Sequence, residues 1–184
     1  MNSAAVHRSG VIWITGLSGA GKSTVAAGVA KELRADGAPV VLLDGDELRA
    51  VFAAGDVDAG HHRSNARQAL AHQYARLAHL ISNQGFTVVI ATISLFREVH
   101  AWNRANIGNY FEVYLKVPIE ELRRRDPKGI YRRFDEGHLT DVVGLDLPAD
   151  EPEAADVVVE FSPARTIKEI VDGLITTWTA RVVK

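Results

Sequence analysis

Apolar residues gather in short runs at 11–14, 40–43, 87–91, 111–117 and 157–159, and between most of these runs they recur every three or four residues instead. Short apolar runs bounded by polar turns read as buried strands, and the three-to-four spacing reads as helices. Alternation of the two predicts an α/β fold, a parallel sheet of about five strands with helices on both faces. The clearest helices are 24–34, stopped by Asp36-Gly37, and 64–83, stopped by Gln84-Gly85. In the second, Ala66, Leu70, Tyr74, Leu77 and Ile81 form one stripe. A last helix over 166–181 repeats Ile167, Ile170, Val171, Leu174, Ile175 and Trp178. Both stripes are assigned to the core. Residues 55–62 and 137–152 are irregular and rich in Gly, Asp and Pro, which suits lids or binding loops.

Composition narrows the class. A chain of 184 residues with 47% hydrophobic content is expected to be one domain with a real core, residues 1–9 being flexible. There is no cysteine, so neither a disulfide framework nor a thiolate metal site is available. Met1 to Gly10 is polar, with no apolar segment of signal-peptide length behind it, and no run is long enough to span a membrane; a cytoplasmic protein is expected. Net charge is −2 with acids and bases interspersed, which gives no footprint for a nucleic-acid polymer. A few local arginines would serve a small anionic partner. The sequence leaves a homodimer open.

The run 11–14 leads directly into Gly16-Leu17-Ser18-Gly19-Ala20-Gly21-Lys22-Ser23-Thr24, which fits G-x-x-x-x-G-K-[ST] between a strand and a helix. In such a P-loop, glycines let the backbone curl so that N–H groups face phosphate oxygens, and the next helix adds its positive N-terminal end. Lys22 is placed to reach the β- and γ-phosphates of ATP, and the Ser23 hydroxyl to ligate Mg²⁺.

Four further groups carry chemistry. The second strand ends in Leu43-Asp44-Gly45-Asp46-Glu47-Leu48-Arg49, two carboxylates at the ligand-binding edge of a parallel sheet. Either carboxylate can hold Mg²⁺, accept a proton from an attacking hydroxyl, or cap the helix that follows; Arg49 can pair with an anion. His61-His62-Arg63-Ser64-Asn65-Ala66-Arg67 opens a helix with anion-receiving chemistry, in which Arg63 and Asn65 are the acceptor candidates. After the third strand, Thr92-Ile93-Ser94-Leu95-Phe96-Arg97 brings a hydroxyl to the same edge. After the fourth, Arg123-Arg124-Arg125-Asp126-Pro127-Lys128 is either a solvated charged face or a lid carrying cations onto a transferring phosphoryl group.

Taken together these residues resemble the adenylylsulfate (APS) kinases, which transfer the γ-phosphate of ATP to the 3′-hydroxyl of adenosine 5′-phosphosulfate. Residues 16–24 are similar to the family's P-loop, 43–49 to its Asp-Gly-Asp motif, Ile93-Ser94 to its Ile-Ser-Pro motif, and 125–131 to its lid. The resemblance implies a P-loop kinase using ATP and Mg²⁺, with a lid and late substrate loop over 123–152. It implies Asp44 or Asp46 as base, Ser23 and Asp44 at the metal, and Lys22, Arg125 and Lys128 as catalytic cations. For a small nucleotide acceptor it implies Asp46, Arg49, Phe52, Arg63, Asn65, Ile93, Ser94, Leu95 and Val142.

The departures gather in the acceptor pocket. Where APS kinases sandwich adenine between two phenylalanines this chain has Val57 and Val142, and Ile-Ser-Pro has become Ile93-Ser94-Leu95. Ser94-Leu95-Phe96-Arg97, residues 109–114 and residues 142–146 look closer to a divergent branch found with capsular-polysaccharide enzymes, which includes cytidine diphosphoramidate kinase. A smaller pyrimidine would tolerate valine where adenine takes phenylalanine. The expected reaction is therefore phosphorylation of the ribose 3′-hydroxyl of cytidine diphosphoramidate or a similar nucleotide. The alternatives are a true APS kinase and, from other classes, a regulatory P-loop NTPase or a nucleotide-binding protein without catalysis.

Overall fold

Period-two alternation along apolar strands decides the architecture, because each strand must cover both faces of one sheet. The computed structural model describes residues 9–53 and 64–182. In chain order its elements are β1 (Gly10–Thr15), α1 (Lys22–Ala35), β2 (Val40–Asp44), α2 (Gly45–Ala53), α3 (Ser64–Ser82), β3 (Thr87–Ala91), α4 (Arg97–Asn106), β4 (Tyr110–Lys116), α5 (Ile119–Arg125), α6 (Ile130–Asp135), β5 (Val157–Glu160) and α7 (Ile167–Val182). The strands form one parallel sheet in the order β2-β3-β1-β4-β5. All five runs expected to be strands are strands, with no end shifted by more than one residue.

Ile12 and Ile14 turn to one face with Val89, Phe111, Val113 and Leu115, where α1 and α7 cover them. Val11 and Trp13 turn to the other with Val88, Ile90 and Tyr110, under α3 and α4. Each such side chain taken fully out of water stabilises the fold by roughly 1.5–3 kcal/mol. The α3 stripe behaves as expected: Tyr74 is buried, and Leu70, Leu77 and Ile81 pack against the same cluster. The α7 stripe needs one correction. Val171, Leu174 and Trp178 are buried and Ile170 and Ile175 packed against them, but Ile167 is 43% exposed. It is the first residue of the helix, just after Thr166, whose hydroxyl and backbone N–H exchange hydrogen bonds with Glu169 as a capping box, and it stands outside the packed turns.

One charged residue is sealed between sheet and helix. Glu112 on β4 is 1% exposed; its carboxylate accepts from Tyr110 Oη (2.7 Å) and Arg104 (3.1 Å) and lies 2.7 Å from His100 Nδ1. Burial pushes its pKa up, but His100, Tyr110 and Arg104 outweigh that and hold it below the usual glutamate range. Arg104 continues to the Ala154 carbonyl and to Asp156, which also pairs with Arg181 of α7. The network pins α4, β4, the segment before β5 and α7 together. Among the described residues no helix is long and apolar enough to cross a membrane.

Removing one member of such a buried network leaves the others desolvated and unpaired. Glu112→Ala is expected to lower stability in urea unfolding by about 3–5 kcal/mol, while Arg97→Ala, which breaks the exposed pair with Glu153, is expected to cost under about 1 kcal/mol. Equal losses would contradict the structural role given to Glu112.

Candidate functional site

The site is set by the turn between β1 and α1. Gly16 takes φ +149°, and a Cβ there would stand 2.7 Å from the Leu115 carbonyl oxygen. Gly21, the N-cap of α1, takes φ +94° and offers no side-chain cap, so the first backbone N–H groups of a 14-residue helix face outward without an internal acceptor. That end of the helix is electropositive. Lys22 Nζ folds back onto the Leu17 carbonyl at 2.8 Å, across the mouth of the loop.

Two carboxylates meet this turn from the end of β2. Asp44 does two things at once: Oδ2 accepts from the Ser23 hydroxyl, and Oδ1 accepts the backbone N–H of Asp46 at 2.9 Å. The helix-capping and site readings of Asp44 therefore hold together, the cap fixing the oxygen that faces Ser23. Asp46 follows in the first turn of α2, paired with Arg49 at 3.3 Å and with Lys128. Burial works to raise its pKa, but Lys128 above all, with Arg49 and Lys22, holds it below the usual aspartate range. Lys22 is pushed the other way: burial and the nearby Lys128 bring its ammonium down to about 8 despite Asp46 and Asp44.

Lys128 arrives from the turn between α5 and α6, a turn with its own scaffold. Asp126, at φ +25°, accepts the N–H groups of Tyr131 (3.2 Å) and Arg132 (2.9 Å), and the Tyr131 hydroxyl donates to the Ser18 carbonyl at 2.8 Å. The rest of the cationic run is otherwise engaged. Arg123 pairs with Asp135 at 3.0 Å, and Arg124 and Arg125 both pair with Glu121 at 2.7 Å. The Arg125 guanidinium also lies over the Phe161 ring, so its contacts run there and not to the Lys22, Asp44 and Asp46 group that Lys128 joins.

Beside this charged group opens a cavity of about 320 Å³. Ile93, Ser94, Leu95 and Val142, all singled out from the sequence, line it together with Arg49. Ser94 sits at φ +25° and shares a 2.7 Å hydrogen bond with Thr92, while the Thr15 hydroxyl donates to the Ile93 carbonyl. Phe52 does not line the cavity; its ring packs against Tyr74, which does, with centroids 5.8 Å apart. Asn65 lies in the first turn of α3. Arg63, Val57, His61 and His62 lie outside the described residues.

The wall holds further groups that the sequence reading did not assign. Tyr74, part of the core stripe of α3, is buried, its pKa raised to about 12 by that burial, and it still borders the cavity. Arg67 and Arg133 add two guanidiniums, and Thr140 and Asp141 a hydroxyl and a carboxylate. Arg67 was visible as the residue one helical turn beyond Arg63. Asp141 had no such signal, since its place depends on a left-handed turn at φ +62°. The assembled chemistry is that of an anion cradle, the carboxylates of Asp44 and Asp46, the cations of Lys22 and Lys128, and an adjoining pocket of mixed apolar and cationic character.

Comparison with known proteins places these features in context. Residues 8–160 match the family model described as adenylylsulphate kinase. The chain is 35% identical over 167 residues to the cytidine diphosphoramidate kinase of Campylobacter jejuni, covering 90% of this chain and 94% of that one. It is 36% identical over 156 residues to a probable adenylyl-sulfate kinase of Bacillus subtilis, covering 84% and 77%. Its fold superposes on the Mycobacterium tuberculosis APS kinase in complex with AMPPNP and APS, with a TM-score of 0.81, 31% identity and 92% and 97% coverage.

The crowding of Lys22 is directly measurable. In an NMR titration of the free protein its ammonium is expected to show a midpoint near 8, against about 10.4 for an ordinary lysine, and Lys128→Ala is expected to raise that midpoint by removing a repelling charge and freeing Asp46. An ordinary midpoint would mean that the loop does not enclose the amine.

Proposed function

The chain belongs to the adenylylsulphate kinase family, and from that membership we propose that it is an ATP- and Mg²⁺-dependent kinase of a ribose 3′-hydroxyl on a cytidine nucleotide, cytidine diphosphoramidate or a close analogue. The observation that carries this reading is the meeting, at one sheet edge, of the glycine turn, Ser23 with Asp44, and Asp46 with Lys128, beside a cavity with Arg49 in its wall. The cytidine assignment draws on the likeness to the Campylobacter jejuni enzyme and on Val142, a buried aliphatic wall where an adenine-stacking ring would otherwise stand. A 36% likeness to the probable adenylyl-sulfate kinase keeps APS as the second acceptor to test.

The backbone N–H groups of residues 16–23 receive the phosphates of ATP. Lys22 exchanges the Leu17 carbonyl for phosphate oxygen, a stronger, charge-assisted partner. Ser23 and Asp44 are the residues that would hold Mg²⁺, a hard cation suited to two oxygen donors plus phosphate and water, and it supplies neutralisation of the phosphate charge. Asp46, ionised at neutral pH, accepts the proton of the acceptor hydroxyl as that oxygen forms its bond to the γ-phosphorus and the bond to the β-γ bridging oxygen breaks. Lys128 swings from Asp46 to the transferring phosphoryl group, so that the segment 123–152 works as lid and late substrate loop. The pair it leaves is half exposed and therefore weak, on the order of 0–1 kcal/mol.

The test is ATP turnover stimulated by acceptor. Cytidine diphosphoramidate is expected to be used in preference to APS, and Lys22→Ala to lose about 10²-fold or more in kcat. Asp46→Asn should cut kcat with little change in ATP affinity, whereas Asp44→Asn should weaken binding of ATP with Mg²⁺. Val142→Phe is expected to shift preference toward APS by roughly tenfold, a stacked base contributing about 1–3 kcal/mol. APS turnover by the wild type equal to that of the cytidine acceptor would return the chain to the second reading.

A further inference from the structure

Among the described residues the cavity wall contains three guanidiniums, those of Arg49, Arg67 and Arg133, and one carboxylate, Asp141. The guanidiniums suit the phosphate oxygens of a nucleotide. A carboxylate in the same wall repels phosphate and only accepts hydrogen bonds, so the part of the acceptor that reaches it must be a donor. The proposed acceptor has three kinds of donor: its ribose hydroxyls, the N–H of its phosphoramidate, which goes with the phosphates to the guanidiniums, and the amino or imino groups of its base. The reacting hydroxyl belongs at Asp46, beside Lys22 and Lys128, and that carboxylate is already supplied by α2. Asp141 instead sits on the late loop next to Val142, which is 7% exposed and presents the flat apolar contact that a base plane needs.

The loop is built to hold that carboxylate in place. Asp146 accepts the backbone N–H groups of Asp141 (2.7 Å) and Val142 (2.6 Å). The turn closes through Leu145 N–H to the Val142 carbonyl (3.0 Å) and Gly144 N–H to the Leu147 carbonyl (2.9 Å). Asp141 itself is kept at φ +62°, a conformation that most side chains avoid and that aspartate and asparagine tolerate best after glycine. The Thr140 hydroxyl lies 3.3 Å from Asp141 Oδ2 and orients it. Arg67 lines the same cavity, so its guanidinium and the Asp141 carboxylate border a common space, and Asp141 works against the lowering of the Arg67 pKa by burial and Arg49.

Resting on the nucleotide-kinase reading above, we propose that Asp141 reads the acceptor base: its carboxylate accepts a hydrogen bond from an exocyclic amino group, selecting cytosine over uracil. Cytosine presents the N4 amino donor there; uracil presents O4, an acceptor that meets the carboxylate lone pair to lone pair. An acceptor opposite the carboxylate leaves both without a partner, which disfavours the oxo-bearing base. Adenine carries an amino group as well, so Asp141 separates amino-bearing from oxo-bearing bases, while the size of the wall at Val142 bears on pyrimidine against purine.

The experiment compares kcat/KM for cytidine diphosphoramidate and uridine diphosphoramidate in the wild type, Asp141→Asn and Asp141→Gly. Both substitutions suit the left-handed backbone, so the loop is retained. The wild type is expected to favour the cytidine compound by about tenfold or more. Asp141→Asn, whose amide also donates, is expected to bring the ratio to near unity or invert it, and Asp141→Gly to abolish the preference. An unchanged ratio in both variants overturns the proposal and leaves the kinase reading intact. If the enzyme works on APS and on neither pyrimidine, the cytidine reading fails, and the comparison of APS with its inosine counterpart, which carries an oxo group in place of the amino group, tests Asp141 independently with the same expected pattern. Turnover of none of the four overturns both.

Discussion

The positive-φ turn of Gly16 to Gly21 is the constraint on which the rest of the site depends. It carries the chain from the central strand straight into α1, leaves the first N–H groups of that helix without an internal acceptor, and leaves the Leu17 and Ser18 carbonyls to accept side-chain hydrogen bonds. Those two carbonyls are then used as anchors, by Lys22 and by the lid residue Tyr131. Ser23, the second helical residue, is delivered to Asp44 because β2 ends at the same level as the turn, two strands away in the sheet. A side chain at Gly16 would collide with β4, so the turn and the sheet order specify one another.

In the free protein the site is a set of provisional partnerships. Lys22 rests on a backbone carbonyl, Lys128 on Asp46, and Arg49 on the same carboxylate. Exposed ion pairs of this kind contribute little to stability, and their cations are easily recaptured by a polyanion. The lasting electrostatics lie elsewhere, in the sealed Glu112 group that ties α4, β4 and α7 into one frame. Separating the two lets the charged mouth rearrange around a ligand without loosening the sheet behind it.

Much of this was legible in the sequence because the strands are short, apolar and regularly spaced, and because the glycine turn has one structural meaning between a strand and a helix. The Asp44 pair was legible for the same reason: it ends a parallel strand. The charge run at 123–128 was not, since sequence alone does not tell which of four cations is neutralised by its own helix; Glu121, four residues before Arg125, turns out to absorb two of them. Ile167 was misread because helical period continues to the first residue of a helix while packing does not. Asp141 and Arg133 escaped notice because their places depend on loop closure through Asp146 and on the packing of α6, neither of which has a period.

The proposed function stands on transfer of phosphate, at this edge, to a hydroxyl of a nucleotide ribose. Incubating the protein with ATP, Mg²⁺ and cytidine diphosphoramidate and locating the new phosphate in the product by two-dimensional ³¹P–¹H NMR tests it most directly. A single new phosphomonoester coupled to the ribose H3′ proton is expected. A phosphate coupled to another position, or release of inorganic phosphate alone, would contradict it.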